Sequence, residues 1–148
     1  MNMILFSCLG FAITFTWIQL RFDWLALPYR NQPGLLPEDV LAPITHFHLY
    51  LRARVLLIAI MLLILLLIVL EIIQASVTSW VAWSSLILFI GGMVWAILIM
   101  IPTGKRLGKR IDSLEEQTRL AHSLLPMHLL AFGIILAVWL LQLYGTWR

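Results

Sequence analysis

The stretch Val55 to Leu70 reads VLLIAIMLLILLLIVL and contains no charged, hydroxyl or amide side chain. It lacks the alternation of a half-buried strand and is too long for a buried core strand, so it reads as a helix. A helix rises about 1.5 Å per residue, and about 20 apolar residues cross a hydrocarbon core of about 30 Å. The run reaches that length if Arg52 and Arg54 snorkel to the headgroups at its start, and Glu71 closes it.

Three further segments share this character. The first runs from Met3 to Leu20 with no charge, the third is free of charge from Ile72 to Ile101, and the fourth runs from Met127 to Leu143. Lipid offers no hydrogen-bond partners, so only helices or a closed barrel cross it, and continuous apolar runs exclude the alternating pattern of a barrel. The expectation is an all-α, four-transmembrane-helix bundle in a single integral membrane domain spanning 1–148, with helices at 3–22, 49–71, 78–101 and 124–145. Composition agrees: of 148 residues 62% are hydrophobic and 11% charged, and the mean hydropathy is +0.99. These values exclude a soluble globule and a disordered chain. One cysteine, Cys8, excludes a disulfide scaffold.

Orientation follows the placement of Lys and Arg. Arg21, Arg30, Arg52, Arg54, Lys105, Arg106, Lys109, Arg110 and Arg119 lie in or beside the first and third connections, and only Arg148 lies on the other side. This predicts a multi-pass protein of the bacterial inner (cytoplasmic) membrane with both termini outside. Arg52, Arg54, Lys105, Arg106, Lys109 and Arg110 are then the expected contacts to lipid headgroups. Trp80, Trp83, Tyr144 and Trp147 would mark the outer headgroup level, and Trp24, Tyr29 and Tyr50 the inner one. No basic residue precedes the first apolar segment, so it is expected to be retained rather than cleaved as a signal. Arg21 and Asp23 are expected to form a local surface pair.

In lipid, small residues at helical spacing mark faces where helices approach closely. Ser85, Gly92 and Ala96 on the third helix, with Gly91 beside them, and Gly10 on the first predict a pairing of those two helices. Phe15 and Phe89, Pro28 and Pro102, and His48 and His122 share one offset, which suggests a two-helix unit used twice. Between Leu107 and Leu125 apolar residues recur near a helical period, which predicts a solvated extension of the fourth helix, kinked at Pro126, with Ser113 and Glu116 as a capping box.

The chemical signal is the placement of the histidines. His46, His48, His122 and His128 all fall near the same ends of the second and fourth helices. On a helix His46 and His48 are about 200° apart, and His122 and His128 are separated by about 9 Å of rise, so ligand pairs must cross between helices. His48 with His122 is the favoured pair, His128 completes the candidate cofactor-binding set, and haem is the cofactor such a pair would hold. No metal site, phosphate loop, catalytic triad or nucleic-acid module is present in the pattern. Ionisable residues near the bilayer midplane, which transporters and pumps use, are absent from the spans.

Gly91-Gly92-Met93 leading to Ile101-Pro102-Thr103-Gly104-Lys105-Arg106-Leu107, then His122 and a final apolar helix, resembles the small four-helix bacterial membrane proteins that include the anthrone-oxygenase-like family. The pattern also resembles the four-helix protoporphyrinogen oxidase family, which implies haem, although the histidine expected within the first helix is missing. Two functional expectations follow. One is a non-catalytic accessory or structural subunit whose partners are the lipid bilayer and other membrane proteins. The alternative is a small membrane oxidoreductase acting on a haem, quinone or aromatic substrate through its histidines.

Overall fold

A computed structural model describes residues 2–31, 34–49, 51–74 and 80–146 of the chain, with side chains for all of these except 2 and 51–54. No strand occurs among the described residues. Helix α1 spans Asn2–Asp23 and continues into a 3-10 helix, Trp24–Tyr29. Helix α2 spans Glu38–Leu49 and α3 Leu51–Gln74. Helix α4, Trp80–Trp95, passes through a π-helical segment, Ala96–Met100, into α5, Ile101–Lys109, and α6 is Leu114–Thr146. Four stretches are long and apolar enough to cross a membrane: Met3–Tyr29, Val55–Gln74, Trp80–Lys109 and Leu114–Thr146. The protein is an all-α, four-span membrane bundle, and outward-facing Leu56, Leu62, Leu66, Ile87 and Leu98 suit a lipid environment.

The ends of the spans depart from the sequence reading in three places. The third helix does not stop at Ile101. Proline lacks an N–H and collides with the carbonyl four residues back, and the wider π-helical register just before Pro102 accommodates both effects, so the rod continues to Lys109. The fourth begins at Leu114, where the Glu116 N–H donates to Ser113 Oγ (3.4 Å). The Glu116 carboxylate does not close the box but accepts from Arg106 (3.2 Å) and Arg119 (2.8 Å). The second helix starts at Leu51, and the residues before it form the separate α2. That helix has its own signals, Glu38 and Asp39 in the first turn after Pro37 and an apolar row of Val40, Leu41 and Ile44.

Two cores result. Within the bundle Leu5, Leu9, Ala12, Ile64, Ile68, Phe89 and Val138 form a dry centre. At the basic end Ala26, Leu36, Leu41, Ile44, Leu107, Ala121 and Leu124 form a second core beneath α2. This cap is tied by polar contacts: Leu36 N–H donates to Thr118 Oγ1 (3.1 Å) and Arg110 binds Glu38 through two bonds of 2.7 and 2.6 Å. The guanidinium holds the Glu38 carboxyl below its ordinary pKa.

Helix contacts also correct the expected pairing of the first and third helices. Helix α1 packs on α3 and α6, and α4 on α3 and α6. A Cβ built at Gly10 or Gly91 meets nothing within 4 Å, so neither glycine marks a contact face. Ser85 and Gly92 face α6 instead, through a Gln142 Nε2–H to Ser85 Oγ bond of 3.2 Å and Ile134 Cγ2 at 3.0 Å from the Gly92 Cβ position. Half-buried Ala96 faces the bundle centre.

Candidate functional site

Where the two cores meet, three ionisable side chains are gathered from three helices. Asp23, the last residue of α1, is only 1% exposed. Its Oδ2 contacts His128 Nδ1 on α6, and its Oδ1 faces His48 Nε2 on α2 at 4.0 Å. Both histidines are buried. Their rings lie parallel, 5° apart in plane, with centroids 5.7 Å apart. A carboxylate withdrawn from water needs partners, and here His128 supplies the hydrogen bond to Oδ2 while His48 stands beyond hydrogen-bond reach of Oδ1.

Glycines on α5 seat His48. A Cβ at Gly104 would lie 3.0 Å from His48 Nδ1, and one at Gly108 would lie 3.0 Å from the His48 carbonyl carbon and 3.1 Å from the Leu49 nitrogen. Spaced four apart on one face of α5, these two glycines let the α2 backbone approach closely, as small residues do between membrane helices. Helix α5 is therefore the wall against which the site is built.

A cavity of about 180 Å³ adjoins the cluster. Its polar lining is His48, His128, Gln19 and Lys105. Val55, Leu57, Ile58, Met100 and Ile101 supply the apolar remainder. Gln19 and Asp23 are one helical turn apart on α1, so the same face of that helix presents both. With Nδ1 engaged by Asp23, His128 has Nε2 left for the cavity its ring lines. A carboxylate at Nδ1 fixes the proton there and stabilises the imidazolium once Nε2 takes a proton, which is the arrangement of a general base with its orienting acid.

The favoured pair, His48 with His122, is not formed, because the structure sets His128 opposite His48. His122 and His128 are six positions apart on α6 and so point to different faces, and half-buried His122 lies in a separate crevice beside Arg30 and Ala26. His46, on the opposite face of α2 from His48, is exposed beside Arg110. Of the basic residues expected at headgroups, Lys105 lines the cavity, and Arg106 is bonded to Asp112 (3.0 Å) and Glu116. Arg110 is bonded to Glu38, and Lys109 is exposed. The side chains of Arg52 and Arg54, like Tyr50, Trp147 and Arg148, lie outside the described residues.

Asp23 was not legible as a site residue. Its expected partner, Arg21, is two positions away and so about 200° around the helix, and it is exposed while Asp23 points inward. A carboxylate between Phe22 and Trp24 at the end of an apolar helix was the available signal.

Haem does not fit this geometry. Two axial imidazoles must point their nitrogens at one iron from opposite sides, whereas His48 and His128 lie side by side and His128 Nδ1 is engaged by Asp23. The cavity is also smaller than the about 300 Å³ at which sites for larger ligands begin. Among the described residues no group of three or more His, Cys, Asp or Glu side chains is arranged to hold a metal ion. Compared with protein-family models, curated proteins and solved structures, the chain matches none.

Proposed function

We propose that this chain is a small membrane enzyme that takes a lipophilic substrate from the bilayer and exchanges a proton with its polar group through His128. The observation that carries this reading is the buried Asp23–His128 contact lining a cavity whose other walls are apolar. In the step envisaged, a hydroxyl of the bound substrate donates its proton to His128 Nε2, the substrate oxygen keeps the electron pair, and Asp23 balances the imidazolium. Gln19 and Lys105 hold the polar group, and His48, seated against Gly104 and stacked on His128, lines the same wall of the cavity. The basic end is read as cytoplasmic, which leaves both termini outside a bacterial inner membrane.

The accessory-subunit reading rests on spans without ionisable groups, and the buried position of Asp23 and His128 weakens that ground. The two readings separate in one experiment. Wild type and His128→Gln are purified in mild detergent, their bound lipids are extracted and identified by mass spectrometry, and assembly is compared by size-exclusion chromatography. A lipophilic compound held by wild type and lost from an equally well assembled His128→Gln protein supports the enzyme reading. Identical extracts overturn it, and stoichiometric copurification with other membrane chains in that case favours the subunit.

A further inference from the structure

Resting on that reading of the site, we infer that its ligand is a bilayer lipid that arrives sideways, head first, through an opening between α3 and α5, and that only the head enters the protein. Three observations converge. The first is a change of neighbours along the third span. Before the π-helical segment α4 packs on α3 and α6, and after it α5 packs on α2 and α6. Helix α3 packs on α1 and α4 and, among the described residues, has no comparable packing on α5. The third span therefore leaves α3 at the turn Ala96–Met100, and a wedge remains between α5 and the start of the Val55–Gln74 span.

The second is the cause of that departure. The Ile101 N–H donates to the Ala96 carbonyl five residues back, and Pro102 has no N–H to return the chain to the tighter register. The Thr103 hydroxyl donates to the Ile99 carbonyl (2.8 Å) in the same turn. An extra residue in one turn redirects the helix that follows, and such turns recur at functional sites.

The third is the direction in which the wedge opens. The cavity of about 180 Å³ fills it, with Val55, Leu57 and Ile58 on one wall and Met100, Ile101 and Lys105 on the other. Val55 and Ile58 line this cavity and are also 60% and 48% exposed, so the mouth lies in the flank of the bundle. It stands at the first turn of a span, where hydrocarbon meets headgroups, and exposed Lys105, one turn beyond Ile101, reaches toward that layer. A space of about 150 Å³ holds one benzene ring. The cavity therefore takes a head of about that size, which meets Gln19 and His128 on the buried side, while the hydrocarbon tail stays in the surrounding bilayer.

The opening can be read without a ligand. In a Cys8→Ser background, single cysteines carry a nitroxide at Leu57 or Met100 inside the wedge, at outward-facing Leu56 on the same turn of α3, or at exposed Lys109. The full chain is placed in phosphatidylcholine nanodiscs, and power-saturation EPR measures collisions with oxygen, which dissolves in hydrocarbon, and with a water-soluble nickel chelate. The oxygen-to-nickel ratio at 57 and 100 is expected to match that at 56 within about twofold and to exceed that at 109. Deleting Leu98, which returns the turn to α-helical register, is expected to lower oxygen collisions at 57 by about half or more and to leave 56 unchanged. Pro102→Ala, which restores the missing donor, should act in the same direction. Nickel collisions at 57 and 100 as frequent as at 109 overturn the inference, because the cavity then opens to water. Few collisions of either kind, or no change at 57 in both variants, overturn it as well. In the extraction experiment, a compound held through His128 that bears no hydrocarbon tail refutes the lateral route and leaves the site standing. If no compound depends on His128 there, the underlying reading falls and the ligand inference falls with it.

Discussion

Replacing His128 with Leu removes the group that contacts Asp23 Oδ2 and leaves the carboxylate 1% exposed, with His48 Nε2 4.0 Å from its other oxygen. Breaking a buried pair in this way costs about 3–5 kcal/mol, most of it the penalty of a charge without its partner. Asp23→Asn alone keeps the shape and an acceptor for the His128 N–H, and exchanges a charge-assisted bond for a neutral one, a loss of about 1 kcal/mol. In the His128→Leu background the same Asn substitution removes the stranded charge and leaves only an unsatisfied amide, worth about 1–3 kcal/mol. Asp23→Asn therefore destabilises the wild type and stabilises His128→Leu by about 2 kcal/mol, a reversal of sign. Reversible unfolding in mixed micelles, with SDS as the denaturant and circular dichroism as the signal, measures all four corners of the cycle. If the two losses simply add within about 0.5 kcal/mol, the two side chains are uncoupled and the argument for the site fails.

Four further outcomes are expected. Gly108→Ala sets a Cβ 3.0 Å from the His48 backbone carbonyl carbon, where nothing flexible can yield, and should destabilise by about 1–3 kcal/mol in the same unfolding assay. Gly91→Ala, with open space around it, should be neutral or stabilise by up to about 1 kcal/mol through helix propensity. The Glu38 carboxyl is held below its ordinary range by Arg110, so its bridge contributes above the unfolded-state pKa and is lost as pH falls through the lowered folded value. A thermal-shift series from pH 7 downward should show an acid-side loss of melting temperature that is smaller in Glu38→Gln. Gln142→Leu strands the buried Ser85 hydroxyl, lies beside Glu71, and should destabilise by about 1–3 kcal/mol in the unfolding assay, while His128-dependent retention of ligand is unchanged.

The four spans were legible because length and hydropathy of a run such as Val55–Leu70 do not depend on what lies beside it. The extension of α6 ahead of Pro126 was legible in part: the apolar row expected as one helix over 107–125 is helical from Leu114, but its first part belongs to α5, which ends at Lys109 with Arg110 in the left-handed region. The site was only half legible. Histidines are rare enough to draw attention, so His48 and His128 stood among the candidates, but which two meet depends on how α2 folds back over α6. That packing is set by Gly104 and Gly108, whose role is a close approach between chains that are distant in sequence. Gly10 and Gly91 carry the same letter and touch nothing. Asp23 was hidden for the same reason, because an acid at a helix end reads as a surface charge until a second core, built from residues 26–44 and 107–124, closes over it.

The position of this second core bears on direction. Along α6, His128 and Gln142 are separated by about 21 Å of helix rise. Gln142 belongs to a polar group at the other end of the bundle, with Ser85 and Glu71. Between the two lie Leu9, Ala12, Ile64, Ile68, Phe89 and Val138, all buried and apolar. The buried hydroxyl of Thr16 donates back to the Ala12 carbonyl of its own helix (2.7 Å). A proton relay needs successive groups within hydrogen-bond reach, and the dry centre offers none among the described residues. The Asp23–His128 pair instead adjoins the cap, where Lys105 and Arg30 are exposed. Among the described residues, polar groups therefore adjoin His128 on the basic side alone, which is the side the proposed proton exchange would use.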